Sequence, residues 1–107
     1  MNEERRKYPR VPLDVRVKAD RESFGHTKDI SEGGVCLLSE NALEKGKIVK
    51  LTFLLPGGET EIQASGKVEW SREVSDHFYE SGLSFWDTED EAKEGIRRFF
   101  EDQSSLS

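Results

Sequence analysis

Residues 5–10 read Arg5-Arg6-Lys7-Tyr8-Pro9-Arg10, four cations in six positions. The chain that carries them has 16 Lys and Arg against 22 Asp and Glu, a formal net charge of −6. Pro9 fixes its own φ, lacks an N–H and biases Tyr8 towards extended backbone. The stretch is therefore no helix interior. In an extended chain Arg6 and Arg10 point to one side, roughly 13 Å apart at about 3.3 Å per residue. Two guanidinium forks so placed close on an anion from two directions. Each donates in pairs to phosphate oxygens or to the O6/N7 edge of guanine. The plainer reading is a solvated, charged terminus.

A second polar stretch, Asp29-Ile30-Ser31-Glu32-Gly33-Gly34, follows about twenty residues later. Asp and Ser side chains bond nearby backbone N–H groups, and glycines permit positive φ, so residues 29–34 are predicted to be a loop. A loop whose side chains satisfy themselves is the plainer reading of Asp29 and Ser31.

The charge is unevenly distributed. Residues 1–28 hold eight Lys/Arg and five Asp/Glu, a net of +3, whereas residues 29–107 hold eight and seventeen, a net of −9. A broadly acidic body opposes binding to long nucleic acids, which requires many phosphate contacts. A small basic patch on such a body favours a small anion.

The intervening sequence reads as strands. Val11, Leu13, Val15 and Val17 alternate with polar residues, a period-2 pattern with one buried face. Residues 24–29 form a weaker strand and residues 35–38 a short buried one. Leu43-Glu44-Lys45-Gly46 turns the chain. Residues 48–55 are strongly apolar and end at Pro56-Gly57-Gly58, a hairpin signal. On the return strand Ile62, Ala64, Gly66, Val68 and Trp70 share a face, which makes Trp70 a core residue. A place at the strand end would instead leave its ring exposed. Tyr79, Ser81, Leu83 and Phe85 give the last strand, where Gly82 marks a bulge or a close approach.

Thr88-Glu89-Asp90-Glu91 reads as a capping box, with Thr88 capping a helix. Ala92, Ile96, Phe99 and Phe100 then fall on one helical face. Six short strands and one helix at 107 residues predict a single mainly-β domain, an antiparallel barrel or sandwich with the helix packed on it.

Catalytic and metal chemistry is poorly supported. Cys36, His26 and His77 have no zinc-like spacing. Ser31 lacks a nucleophile-elbow sequence, and no Gly-Lys-Ser/Thr follows Gly33-Gly34. Cys36 lies in an apolar run and reads as a buried, inert thiol in a reducing cytoplasm. No apolar run is long enough to span a membrane and no secretory leader is expected. The chain is expected to be no enzyme and to need no cofactor or metal.

Together the two polar stretches resemble the PilZ domain family. Arg6-Lys7-Tyr8-Pro9-Arg10 matches its R-x-x-x-R, and residues 29–34 match its [D/N]-x-S-x-x-G. Gly66-Lys67-Val68-Glu69-Trp70 and Gly82-Leu83-Ser84-Phe85 look like its later strands. The resemblance implies a six-stranded antiparallel β-barrel with a C-terminal helix over residues 11–103, preceded by a leader, residues 1–10, that carries the arginines. It also implies binding of the bacterial messenger cyclic di-GMP. Arg6 and Arg10 would bond its phosphates and guanines, Asp29 the guanine N1–H and N2–H₂, and Ser31 a base or phosphate. Gly34, with Gly33, would admit the ligand to the backbone. Arg5, cationic ahead of the first motif arginine, resembles the variant that takes an intercalated pair of ligand molecules. Trp70 is a further candidate contact. The functional expectation is a cytoplasmic receptor whose leader orders over the nucleotide and changes the surface shown to a partner protein. The alternative is an interaction adaptor on the same fold without nucleotide binding.

Overall fold

The structure is a computed structural model that describes residues 10–20, 23–57 and 61–105. Arg10 is thus the part of the expected leader within the described residues; Arg5 and Arg6 lie outside them. Among the described residues seven strands and one helix follow in order: β1 (Val11–Pro12), β2 (Arg16–Ala19), β3 (Ser23–Ser31), β4 (Gly34–Ser39), β5 (Ile48–Phe53), β6 (Ile62–Ser75), β7 (Phe78–Phe85) and α1 (Asp90–Ser105).

All strand pairings are antiparallel, in the order β1-β3-β2-β5-β6-β7-β4. The additional pairing of β3 with β4 joins the ends, so six strands close into a barrel. Closure leaves few backbone groups unpaired. The extra strand, β1, lies on β3 in line with β2. The alternation of residues 11–18 predicts one strand, and the structure breaks it in two. Register runs Val11↔Ile30 and Pro12↔Asp29, then Arg16↔His26, so one residue is extra at the break. The Leu13 N–H donates to the Lys28 carbonyl and the Thr27 N–H to the Val15 carbonyl, which leaves Asp14 bulged outward. Thr27, buried behind the break, fills it: its hydroxyl accepts the Val15 N–H at 2.9 Å and donates to the Leu13 carbonyl.

The barrel interior holds the predicted apolar faces. Val17, Val49, Leu51, Phe53, Ile62, Ala64, Val68 and Leu83 are buried together with Ile30, Val35 and Leu37. Ala92, Ile96 and Phe99 attach α1 to this core, with Phe100 packed partly against it. Burying the Phe99 ring stabilises the attachment by roughly 1.5–3 kcal/mol. Gly95 lets the helix come close, since a Cβ there would sit 2.6 Å from Ile62 Cδ1. The helix begins one position later than the capping box implies. The Lys93 N–H donates to the Glu89 carbonyl, and the Thr88 hydroxyl turns inward to the Ser65 carbonyl at 3.4 Å. Gly46 and Gly57 take positive φ at the two turns assigned from the sequence. Among the described residues, no helix is long and apolar enough to cross a membrane.

Candidate ligand-binding site

The short β1 strand brings the two motifs together. Val11 pairs with Ile30 and Pro12 with Asp29, so Arg10, one residue before β1, arrives beside the end of β3. Its Nη1 donates to Asp29 Oδ1 at 2.5 Å, and both side chains keep partial exposure, 33% and 22%. A charge-assisted contact of this kind is among the stronger hydrogen bonds.

Residues 29–34 are not the predicted loop. Asp29, Ile30 and Ser31 end β3, Glu32 and Gly33 make a tight turn, and Gly34 opens β4. Ser31 is buried; its hydroxyl accepts the Gly33 N–H at 3.2 Å and donates to the Gly34 carbonyl at 3.5 Å. The Gly33 carbonyl accepts the Phe85 N–H and ties the turn to β7. Positive φ is not what the two glycines supply, since the described positive-φ glycines are Gly46 and Gly57. Gly34 supplies space. A Cβ there would lie 3.2 Å from the Leu83 carbonyl carbon and Ser84 Cα, and far inside contact of the Leu83 oxygen.

Asp29 begins a row across four strands, its successive register partners being Cys36, Gly82 and Trp70. At about 4.8 Å per strand the row runs roughly 14 Å along the sheet. A register shift at each end turns a consecutive pair of residues outward. On β3 the shift lies between Thr27 and Asp29, so Thr27 is buried while Lys28 and Asp29 face out. On β6 it lies between Val68 and Trp70, so Val68 is buried while Glu69 and Trp70 face out. The alternation of Ile62, Ala64, Gly66 and Val68 makes Trp70 a core residue, and the bulge overturns this: its side chain is 40% exposed. The indole lies against Gly82, where a Cβ would come within 2.5 Å of Cε2 and 2.8 Å of Cζ2. The close approach expected at Gly82 is this ring. Asp29 and Trp70 therefore stand at the two ends of the row, with the small residues Gly34, Cys36, Gly82 and Ser84 on the strands between them.

One charged group on this face escaped sequence reasoning. Glu80 occupies an outward position on β7, where a carboxylate reads as solvated, yet it is 6% exposed. It accepts from Lys28 Nζ and Arg72 Nη2, each at 3.1 Å, and from Cys36 Sγ at 3.3 Å. Burial drives its pKa up, but the three hydrogen bonds outweigh that and hold it below the ordinary glutamate value. Its hydrogen bond raises the pKa of Lys28 in turn. Burial first, then the bond to Glu80, pushes the Cys36 thiol up to about 12, so Cys36 is a protonated donor. No local signal marks Glu80, because its cover comes from three other strands. A cleft of about 820 Å³ lined by Pro12, Leu13, Val74 and Phe78 borders the face at His26, Lys28 and Leu38, and contains neither Arg10 nor Asp29. Glu32 and Gly33 of the second motif line another cleft, of about 590 Å³, beside Lys93 and Arg97 of α1, whereas Arg10 and Asp29 line neither cleft. Among the described residues no three His, Cys, Asp or Glu side chains group as a metal site.

A family model, the PilZ domain, matches residues 4–102. The chain belongs to the PilZ family. Solved structures of that family share the fold. The Bacillus subtilis inhibitor of motility, MotI/DgrA, aligns with a TM-score of 0.78 at 18% identity over 96% of this chain and 53% of that one. The Klebsiella MrkH–c-di-GMP complex aligns at 0.79 and 20% identity over 94% and 53%. The PilZ domain of Escherichia coli YcgR with c-di-GMP aligns at 0.71 and 16% identity, over 95% of this chain and 94% of that one. The chain thus spans about half the length of the first two structures and nearly all of the YcgR domain. No curated protein sequence matches it.

Proposed function

We propose that this PilZ domain is a receptor module for cyclic di-GMP and performs no chemistry of its own. The observation that carries the reading is the 2.5 Å pairing of Arg10 with Asp29, which sets an arginine of the first motif against the acid of the second. The occurrence of c-di-GMP in the MrkH and YcgR structures supports it. On this reading the Arg10–Asp29 pair is a placeholder for the ligand. A guanine offers N1–H and N2–H₂ to Asp29, and the freed Arg10 turns to a phosphate or to guanine O6/N7. One charge-assisted pairing is thus exchanged for two. Arg5 and Arg6 join from the residues ahead of Arg10, which order over the nucleotide and alter the surface offered to a partner protein. Ser31 holds the turn and keeps the Gly33 and Gly34 backbone in place beneath the ligand. Trp70 supplies an exposed ring on which a base can stack, and the cationic Arg5 favours an intercalated pair of ligand molecules.

Calorimetric titration with cyclic di-GMP tests the reading. The parent binds, with a stoichiometry that counts one or two ligands per chain. Arg10→Ala and Asp29→Ala each lose charge-assisted bonds of about 1.5–3 kcal/mol, which weakens binding roughly tenfold or more. Absence of heat, and of any melting-temperature shift at high ligand, would return the chain to the adaptor reading.

A further inference from the structure

We infer that Glu80 is a positioning residue that fixes both bulged edges of the candidate site, Asp29 on one side and Trp70 on the other; the ligand arm of this inference rests on the reading just given. The carboxylate stands on β7, and each of its three partners stands on a different strand. Lys28 belongs to β3, Cys36 to β4 and Arg72 to β6. These are the four strands that carry the row from Asp29 to Trp70. Lys28 is the bulge residue immediately before Asp29, so its ion pair with Glu80 holds the bulge that turns Asp29 outward. On the other side Arg72 bonds Glu80 Oε1 while its guanidinium carbon lies 5.5 Å from the Trp70 ring centroid. The carboxylate therefore holds the guanidinium, and the guanidinium holds the indole over Gly82.

The chemistry of the cluster suits a fixed prop. Lys28 and Arg72 are 53% and 67% exposed, so solvent carries much of their charge, whereas Glu80 is covered. The covered member with three donors has one geometry, and the exposed members take theirs from it. Cys36 completes the shell as a neutral donor whose thiol stays protonated. Glu80 lies one outward position before Gly82 on β7, and its register partners are Leu38 and Arg72 rather than a motif residue. It is thus placed to act through Lys28 and Arg72.

The test combines fluorescence with titration. The chain has two tryptophans, so Trp86→Phe leaves Trp70 as the sole reporter. In that background and without ligand, Glu80→Gln increases acrylamide quenching of Trp70, and Glu80→Asp, which keeps the charge, restores part of the protection. Arg72→Gln removes the same link from the solvent side and reproduces the increase, which keeps the test decisive if Glu80→Gln folds poorly. With cyclic di-GMP, Glu80→Gln binds about tenfold more weakly at unchanged stoichiometry. Quenching like the parent in both Glu80→Gln and Arg72→Gln overturns the inference. So does weaker binding with an unmoved Trp70 signal, which would make Glu80 a direct ligand contact. If the parent itself does not bind, the receptor reading fails while the quenching arm still decides the role of Glu80.

Discussion

Gly82→Ala separates the seat of Trp70 from the fold beneath it. The added methyl would stand 2.5 Å from Cε2 and 2.8 Å from Cζ2 of the indole. Ordinary carbon contacts begin at about 3.5 Å, so the ring must withdraw by about 1 Å. The shift is available, because Trp70 is 40% exposed, the Arg72 side chain that holds it is itself 67% exposed and shifts with it, and the obstacle is a ring rather than backbone. Stability should therefore change by less than about 1 kcal/mol, the clash being partly offset by the lower chain entropy of alanine in the unfolded state. Binding should suffer more. A base stacked on an aromatic side chain is worth about 1–3 kcal/mol. A displaced platform that loses about half of this weakens cyclic di-GMP binding by about 1 kcal/mol, or roughly fivefold. Trp70→Ala removes the whole platform and should weaken binding tenfold or more. Urea unfolding and calorimetric titration of both variants give the two numbers. Parent-like affinity in Gly82→Ala beside a weakened Trp70→Ala would show that the seat does not matter. A loss of more than about 2 kcal/mol of stability in Gly82→Ala would show that the ring is structural packing.

Gly34→Ala should behave in the opposite way, because its Cβ meets the Leu83 backbone. The β4–β7 ladder has to open, which lowers stability by about 2 kcal/mol, or roughly 10 °C in Tm; a melt within 2 °C of the parent would contradict the steric account. Thr27→Val keeps shape but removes the hydroxyl that serves the Val15 N–H and the Leu13 carbonyl. A loss of about 2–4 kcal/mol in denaturant unfolding is expected. Glu80 sets an acid dependence. Its folded pKa lies below the ordinary 4.5, so its contribution is complete above pH 4.5 and disappears as pH falls through the folded value. The urea midpoints of the parent and Glu80→Gln should differ at pH 7 and draw together as pH falls below 4.5; a constant gap would refute this.

Much of the molecule is legible in its residues. The two motifs, the turns at Gly46 and Gly57 and the inward faces of β2, β5 and most of β6 follow from local chemistry, because a buried strand face repeats every two residues. The C-terminal helix follows from Ala92, Ile96 and Phe99 in the same way. The two motifs in order, about twenty residues apart, together with the Gly66–Trp70 and Gly82–Phe85 stretches, are enough to suggest the family.

Phase is what the local pattern does not contain. A bulge adds one residue against a partner strand, and whether it occurs depends on the register of that partner. Asp14, Lys28 and Glu69 are such residues, and nothing in their types announces it. Past Glu69 the alternation reverses, which is why Trp70 faces solvent although its predecessors are buried. Likewise the Arg10–Asp29 contact joins residues nineteen apart, and the cover of Glu80 is assembled from β3, β4 and β6. The sequence by itself determined which groups are available and which faces are apolar. Tertiary pairing decided which of those groups share one surface, because only the closed barrel sets one strand's register against another's.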